Sequence, residues 1–210
     1  MTDVLSLFQK HMQNDDPTGW FEELYALADG DPDNVPWARL QPNINLTEWQ
    51  QREQRDGTGK TALVVGCGLG DDAEYIAGMG YTVTAFDISE SAIDWCKRRW
   101  TDTTVTYIQA DLFDIPFTQQ FDFVYESYTV QALPPPLHER ALLQVAATVG
   151  GELLLVCRGR DESEPQGSTP PWALSTGQLA TLEQNGLAPA AFEDFFAAGA
   201  RRFRALYTRL

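Results

Sequence analysis

Ten consecutive residues constrain this chain more than any others: Leu63-Val64-Val65-Gly66-Cys67-Gly68-Leu69-Gly70-Asp71-Asp72. Their apolar start suits a buried strand, and it leads through alternating glycines into a helical pattern. Glycines at such a bend turn the backbone sharply and let it approach a ligand with no Cβ in the way. A tight strand-to-helix connection that binds nothing would use the same residues, so the motif has to be weighed with its surroundings. From Thr61 onward apolar strands alternate with helical segments, which is the pattern of βαβ units around a mostly parallel sheet. Strands are expected at 61–65, 82–87, 104–108, 121–125 and 152–158, with helices at 71–79, 89–100 and 136–149. Gly150-Gly151 reads as the stop signal of the last of these helices. A helix at 176–185 precedes two β-like runs, 188–196 and 202–208, with no helix between them, so an antiparallel hairpin should close the sheet.

Ahead of this body, helical patches at 4–12, 20–28 and 47–55 are separated by turn-rich runs. Residues 1–60 therefore read as a helical arm or lid of the same domain, with 61–210 as its main body. The Pro- and Gly-rich segment 159–171 reads as a long loop beyond the fifth strand, where loops border a ligand crevice. With 210 residues the chain suits one α/β domain. Its 30 acidic and 15 basic residues give a formal charge of −15, which argues against nucleic acid or anionic lipid as a partner. The N-terminal run shows no basic leader before an apolar core, and no stretch approaches a membrane span, so a soluble cytoplasmic protein is expected. Cys67, Cys96 and Cys157 are far apart in sequence and form no ligand motif, so free thiols and no metal site are expected. His11 and His138 read as solvated residues on helix surfaces.

The spacing of the strand ends strengthens the ligand reading. Twenty-one residues after Gly66 comes Asp87, at the end of the second apolar strand, where a carboxylate can accept from ribose hydroxyls. It could instead cap the following helix, but Ser89 fills that position well. In dinucleotide-binding folds a pyrophosphate sits at the helix N-terminus, and here Asp71 and Asp72 already stand there and would repel it. The chain also has no GxxxxGK[ST] run. A phosphate-free adenosyl ligand fits better, and S-adenosylmethionine leads. After the third strand, Asp111 can accept from an adenine amino group while the Leu112 N–H donates to the ring; Asp111 could equally begin an Asx turn. Glu126, Ser127 and Tyr128 end the fourth strand, at the crevice where strand order should reverse.

With these residues assembled, the stretch from Leu63 to Arg158 resembles a class I S-adenosylmethionine-dependent methyltransferase. It is most similar to the thiol and halide branch, the thiopurine methyltransferase-like proteins. The resemblance rests on Val65 to Asp72, on Gly80-Tyr81-Thr82-Val83-Thr84-Ala85-Phe86-Asp87-Ile88-Ser89, and on Phe121 to Glu126 continuing to Gln131-Ala132-Leu133-Pro134. Trp20, Tyr25 and Val35-Pro36-Trp37 are similar to the aromatic segment that covers the cofactor in that branch. The resemblance implies a Rossmann-like seven-stranded mixed sheet of order 3-2-1-4-5-7-6, strand 7 antiparallel, flanked by helices. It also implies a cofactor site drawn from Trp20, Trp37, Gly66, Cys67, Gly68, Gly70, Asp87, Ile88, Asp111, Leu112 and Glu126. Glu126 stands where that branch usually carries aspartate, which leaves the methyl acceptor open.

Methyl transfer from a sulfonium is an in-line displacement, so the protein mainly aligns the acceptor and excludes water. Trp20, Trp37 and Tyr25 could form a dry aromatic wall over the site, or each could simply pack the arm onto the core. Glu126 or Tyr128 is the candidate to take a proton from the acceptor. A small-molecule acceptor and a monomer or homodimer are expected. The competing readings are an NAD(P)-linked oxidoreductase, disfavoured by GxGxG in place of GxGxxG, and a methyltransferase-like cofactor-binding module without activity.

Overall fold

The computed structural model describes residues 3–115 and 117–210. The chain divides into two units, Met1–Gly59 with Gly66–Asp111, and Lys60–Val65 with Leu112–Leu210.

The first unit contains helices α1 (Val4–Met12), α2 (Gly19–Ala28), α3 (Ile44–Glu53), α4 (Asp71–Gly78) and α5 (Glu90–Arg99). Numbered along the whole chain, in which β1 is Thr61–Val65, its strands are β2 (Thr82–Asp87) and β3 (Thr106–Gln109), paired in parallel from Thr84–Thr106 to Asp87–Gln109. The arm is not a separate layer. Tyr25, Ala28 and Val35 share a buried cluster with Leu69, Ala92 and Trp95. A polar clamp reinforces the contact between α2 and α5: Glu22 accepts from the Ser89 hydroxyl at 2.7 Å and from the Ser91 hydroxyl and N–H at 2.6 and 3.1 Å. An acid placed at a helix N-terminus meets free N–H groups and the positive end of the dipole. Burial works against the Glu22 charge, but these bonds outweigh it and hold its pKa below the usual glutamate value.

In the second unit β1 is followed by β4 (Phe121–Ser127), β5 (Val149–Arg160), β6 (Leu174–Ser175), β7 (Leu187–Ala197) and β8 (Ala200–Arg209). Helices α6 (His138–Thr148) and α7 (Thr176–Gln184) complete it. The β1–β4 and β4–β5 pairs are parallel, and the β5–β8 and β8–β7 pairs are antiparallel. The terminal hairpin and the reversed last-but-one strand are therefore as expected.

Several elements depart from the sequence reading. α6 ends at Thr148, one residue before the expected 149, and the Gly150-Gly151 pair itself lies in β5, where a Cβ on Gly151 would collide with the Asp122 carbonyl oxygen and one on Gly150 would lie 3.0 Å from Gln120 Cβ. The strand thus starts directly after the helix, beside an irregular register between Phe121 and Phe123. The two-residue β6, parallel to the end of β5, was not foreseen; it leads into α7 through a capping box of Ser175 and Gln178.

The histidines are not solvated. His138 is 1% exposed, with Nε2 2.8 Å from the Leu133 oxygen and Nδ1 3.0 Å from Gln178 Nε2. Burial lowers its pKa, so the ring is neutral, donating from Nε2 and accepting at Nδ1. His11 bridges Asp16 at 2.8 Å and Glu23 at 2.7 Å. Cys67 and Cys96, distant in sequence, are hydrogen-bonded thiols, and all three cysteines are reduced.

Candidate functional site

The glycine turn belongs to the first unit. Gly66, Gly68 and Gly70 all adopt left-handed backbone, at φ 62°, 53° and 86°, a conformation that side chains resist. The turn is stitched to the end of β2. Cys67 N–H donates to the Phe86 oxygen at 2.9 Å, and Gly68 N–H donates to the Asp87 carboxylate at 2.9 Å. The other Asp87 oxygen accepts from Ser89 N–H at 3.0 Å, and its main-chain oxygen accepts from Ala110 N–H at 2.9 Å. Asp87 is therefore the junction that brings the glycine turn, Ile88 and the segment entering Asp111 together. It is 8% exposed, and burial raises its pKa despite the three backbone N–H groups aimed at it. With about four lone-pair sites on the carboxylate and three N–H groups aimed at it, capacity remains for one more donor such as a ligand hydroxyl.

The carbonyls of the turn are held as firmly. Cys96 donates to Gly68 O at 3.1 Å, and Trp100 and Arg99 donate to Leu69 O at 3.0 and 3.1 Å. Arg99 also grips Asp71 through two bonds of 2.6 Å. That ion pair offsets one of the two carboxylates on which the sequence argument against a pyrophosphate rests; Asp72 instead accepts from Asn43 N–H at 2.6 Å. None of Arg99, Trp100 and Glu22 had a motif to announce it, since each matters only through a partner 28 to 69 residues away.

The aromatic residues of the arm divide. Tyr25 is 3% exposed, and its hydroxyl would lie 3.1 Å from a Cβ on Gly68, so it stands directly over the turn. Trp37, 39% exposed, donates from its indole N–H to that hydroxyl at 2.8 Å. Trp20 is 2% exposed and wedged among Phe8, Phe21 and Trp37.

In the second unit Leu112 is buried in a short 3-10 turn, while Glu126 lies near the end of β4 and Tyr128 follows directly after it. Glu126 is 1% exposed. One of its oxygens accepts from the Thr129 and Val130 N–H groups at 2.8 and 3.0 Å. The other, Oε2, is buried with no hydrogen-bond partner among the described residues. Burial pushes its pKa up to about 7, and the two backbone bonds only partly oppose this. A buried oxygen of this kind is costly unless something donates to it. The following residue but one, Tyr128, holds φ at 63° although it is not glycine. Its N–H donates to Val156 O at 3.0 Å, and Thr129 Oγ1 donates to Val65 O at 3.0 Å. The turn is over-determined by these bonds, as strained backbone at functional sites usually is.

Comparison with known proteins bears on what such turns hold. Residues 62–150 match the family model described as a methyltransferase domain. A fatty-acid O-methyltransferase of Mycolicibacterium smegmatis is 30% identical over 64% of this chain and 49% of its own length. A "Probable thiopurine S-methyltransferase" of Yarrowia lipolytica is 24% identical over 83% of this chain and 82% of its own. The chain spans about half the length of the curated relatives it matches at 30% identity, 49% and 54%. The solved magnesium protoporphyrin IX methyltransferase of Synechocystis PCC 6803, with bound SAM, superposes with a TM-score of 0.66 at 14% identity, covering 100% of this chain and 99% of that one. At that identity the likeness speaks for the fold, a Rossmann-like α/β sheet flanked by helices. No helix among the described residues is long and apolar enough to cross a membrane.

Proposed function

We propose that this chain, which carries a methyltransferase domain over residues 62–150, is an S-adenosylmethionine-dependent methyltransferase of small molecules with a thiol, halide or similar nucleophile. The observation that carries the reading is the buried pairing of Asp87 with the Gly68 N–H, at 2.9 Å, beneath a turn of three left-handed glycines. That arrangement leaves acceptor capacity for ribose hydroxyls next to backbone that carries no Cβ of its own. Independently, in the second unit, the unpartnered Glu126 Oε2 would be satisfied by an ammonium or hydroxyl donor.

Within this reading Gly66, Cys67, Gly68 and Gly70 hold the amino-acid portion through their backbone, Asp87 and Ile88 the ribose, Asp111 and Leu112 the adenine, and Glu126 a donor group at Oε2. Trp20 backs Trp37, and Trp37 with Tyr25 shields the turn from water. The bound cofactor supplies an activated methyl on a sulfonium, and with it most of the driving force. What remains for the chain is alignment and dryness, which together can supply several kcal/mol of barrier lowering. Glu126 is the group able to hold the proton of a thiol acceptor, since a carboxyl with a pKa of about 7 changes state near neutral pH; burial raises the Tyr128 phenol above its ordinary value and keeps it protonated, so its part is to donate a hydrogen bond.

Calorimetric titration with S-adenosylmethionine and with NAD, followed by product analysis over thiols, thiocyanate, halides and small acids, tests the proposal. Micromolar binding of the first ligand, none of the second, and a methylated product from one acceptor class are expected. Binding of NAD alone would overturn the reading, and cofactor binding with no product from any acceptor would reduce the chain to a binding module.

A further inference from the structure

On the antiparallel strands β5 and β8, Arg158 and Arg202 stand directly opposite one another. Cross-strand partners share a face of the sheet, and like charges placed so are destabilising. Three other arginines pair with acids, Arg99 with Asp71, Arg201 with Asp161 and Asp194, and the buried Arg204 with Glu193, while Arg160 and Arg209 donate to backbone carbonyls. Acids outnumber bases by 30 to 15, yet among the described residues neither Arg158 nor Arg202 has a carboxylate partner. Arg158 is exposed and Arg202 half-buried.

The surroundings of the pair are built. Tyr128, at its left-handed φ of 63°, takes a hydrogen bond from Arg202 and lies in the field of Arg158. The Arg158 N–H donates at 2.6 Å to the Gln131 side chain, which is 2% exposed. Gln131 in turn accepts at its main-chain oxygen from Trp172 N–H at 2.7 Å, and the Trp172 indole is fastened to Gly167 O at 2.8 Å. The strand end, the strained turn after β4 and the long loop are thus fixed to one another next to Arg158.

We propose that Arg158, Arg202 and Tyr128 form a receptor for a carboxylate carried by the methyl acceptor, an inference that rests on the methyltransferase reading above. Arg202 already donates from Nη1 to Ala200 O at 3.2 Å and to Tyr128, and its remaining donors, the Arg158 guanidinium and the Tyr128 phenol together suit the planar, multi-acceptor geometry of a carboxylate. A chain with a net charge of −15 opposes a phosphate dianion more than a monoanion. The bound carboxylate is the anchor and not the atom that is methylated. Methylation would erase its charge, so two cations on the nucleophilic oxygen would stabilise the ground state over the transition state and slow transfer.

The test uses the intact chain with S-adenosylhomocysteine present and three probes, benzoate, methyl benzoate and phenylphosphonate, measured by calorimetry and thermal shift. Benzoate should bind, methyl benzoate should not, and phenylphosphonate should bind more weakly than benzoate. Arg158→Gln and Arg202→Gln should each weaken benzoate by about tenfold or more. Both variants should melt at or above the wild-type temperature, because each removes one of two opposed like charges. A structural role would lower the melting temperature instead, and that result would overturn the proposal. So would benzoate affinity unchanged by either variant, no benzoate binding by the wild type, or preference for phenylphosphonate. S-adenosylmethionine titrated into the same proteins separates the two readings: if the wild type ignores it while benzoate behaves as expected, the methyltransferase reading falls and the anion receptor stands.

Discussion

The turn from Gly66 to Gly70 and the turn from Glu126 to Val130 both end a strand, and they are finished in opposite ways. The first reaches left-handed backbone with glycines, at φ 62°, 53° and 86°, and so without strain. Its neighbours satisfy the Gly68 N–H and the Gly68 and Leu69 carbonyls. The second reaches the same region with a tyrosine, and it leaves Glu126 Oε2 buried without a partner among the described residues. A turn most of whose polar groups are already paired offers a ligand a fixed shape and few free donors; one that holds an unmatched buried acid responds to a ligand or to pH. The contrast suggests that the first turn positions and the second discriminates.

The largest effect that would break this comparison comes from filling the first turn. Gly68→Trp puts a bulky Cβ at positive φ, 3.1 Å from the Tyr25 hydroxyl, and should abolish S-adenosylmethionine binding in calorimetry while far-UV circular dichroism remains that of a folded chain. Retained affinity would mean that the turn touches no ligand.

The second turn is probed by pH. The Glu126 pKa is raised from 4.5 to about 7 in the folded chain, so the native state binds the extra proton between those values. Its contribution to stability is therefore fully present below about pH 4.5 and is lost as pH rises through 7, by about 3 kcal/mol in total. Urea unfolding at pH 5 and pH 8 should show this loss in the wild type. Glu126→Gln, which cannot ionise, should flatten the difference. An equal pH dependence in both proteins would show that the group is not the buried acid described above.

A smaller effect sharpens the role of the arm. Glu22→Ala removes three hydrogen bonds between α2 and α5 and should cost about 1 to 3 kcal/mol of stability. Because α2 also carries Tyr25, the cofactor affinity should fall several-fold, with the methyl-transfer rate at saturation nearly unchanged. Unaltered affinity would assign the clamp to stability alone.

The legible part of the molecule is the part written in local pattern. The strands at 61–65 and 82–87 have the expected bounds, because an apolar run flanked by glycine or charge has few other places to go. The terminal hairpin followed from two β-like runs with no room for a helix between them. The helix end at Gly150-Gly151 is legible, but not that the pair also lies in β5, because glycine ends helices and also admits a close strand, and the Asp122 backbone is what makes use of it here. His138 was misread because a polar residue at a helix start is ordinarily solvated, and its two partners, Leu133 and Gln178, lie on either side in sequence.

The sequence by itself determined the βαβ order, the glycine bend and the acid at the end of the second strand, since these depend on backbone freedom and period that neighbouring residues encode. Tertiary structure alone decided that Arg158 faces Arg202, that Tyr25 stands over Gly68 and that Glu126 keeps an unpaired oxygen. Those are facts of burial and of charge meeting charge across tens of residues, and no local rule carries information over that distance.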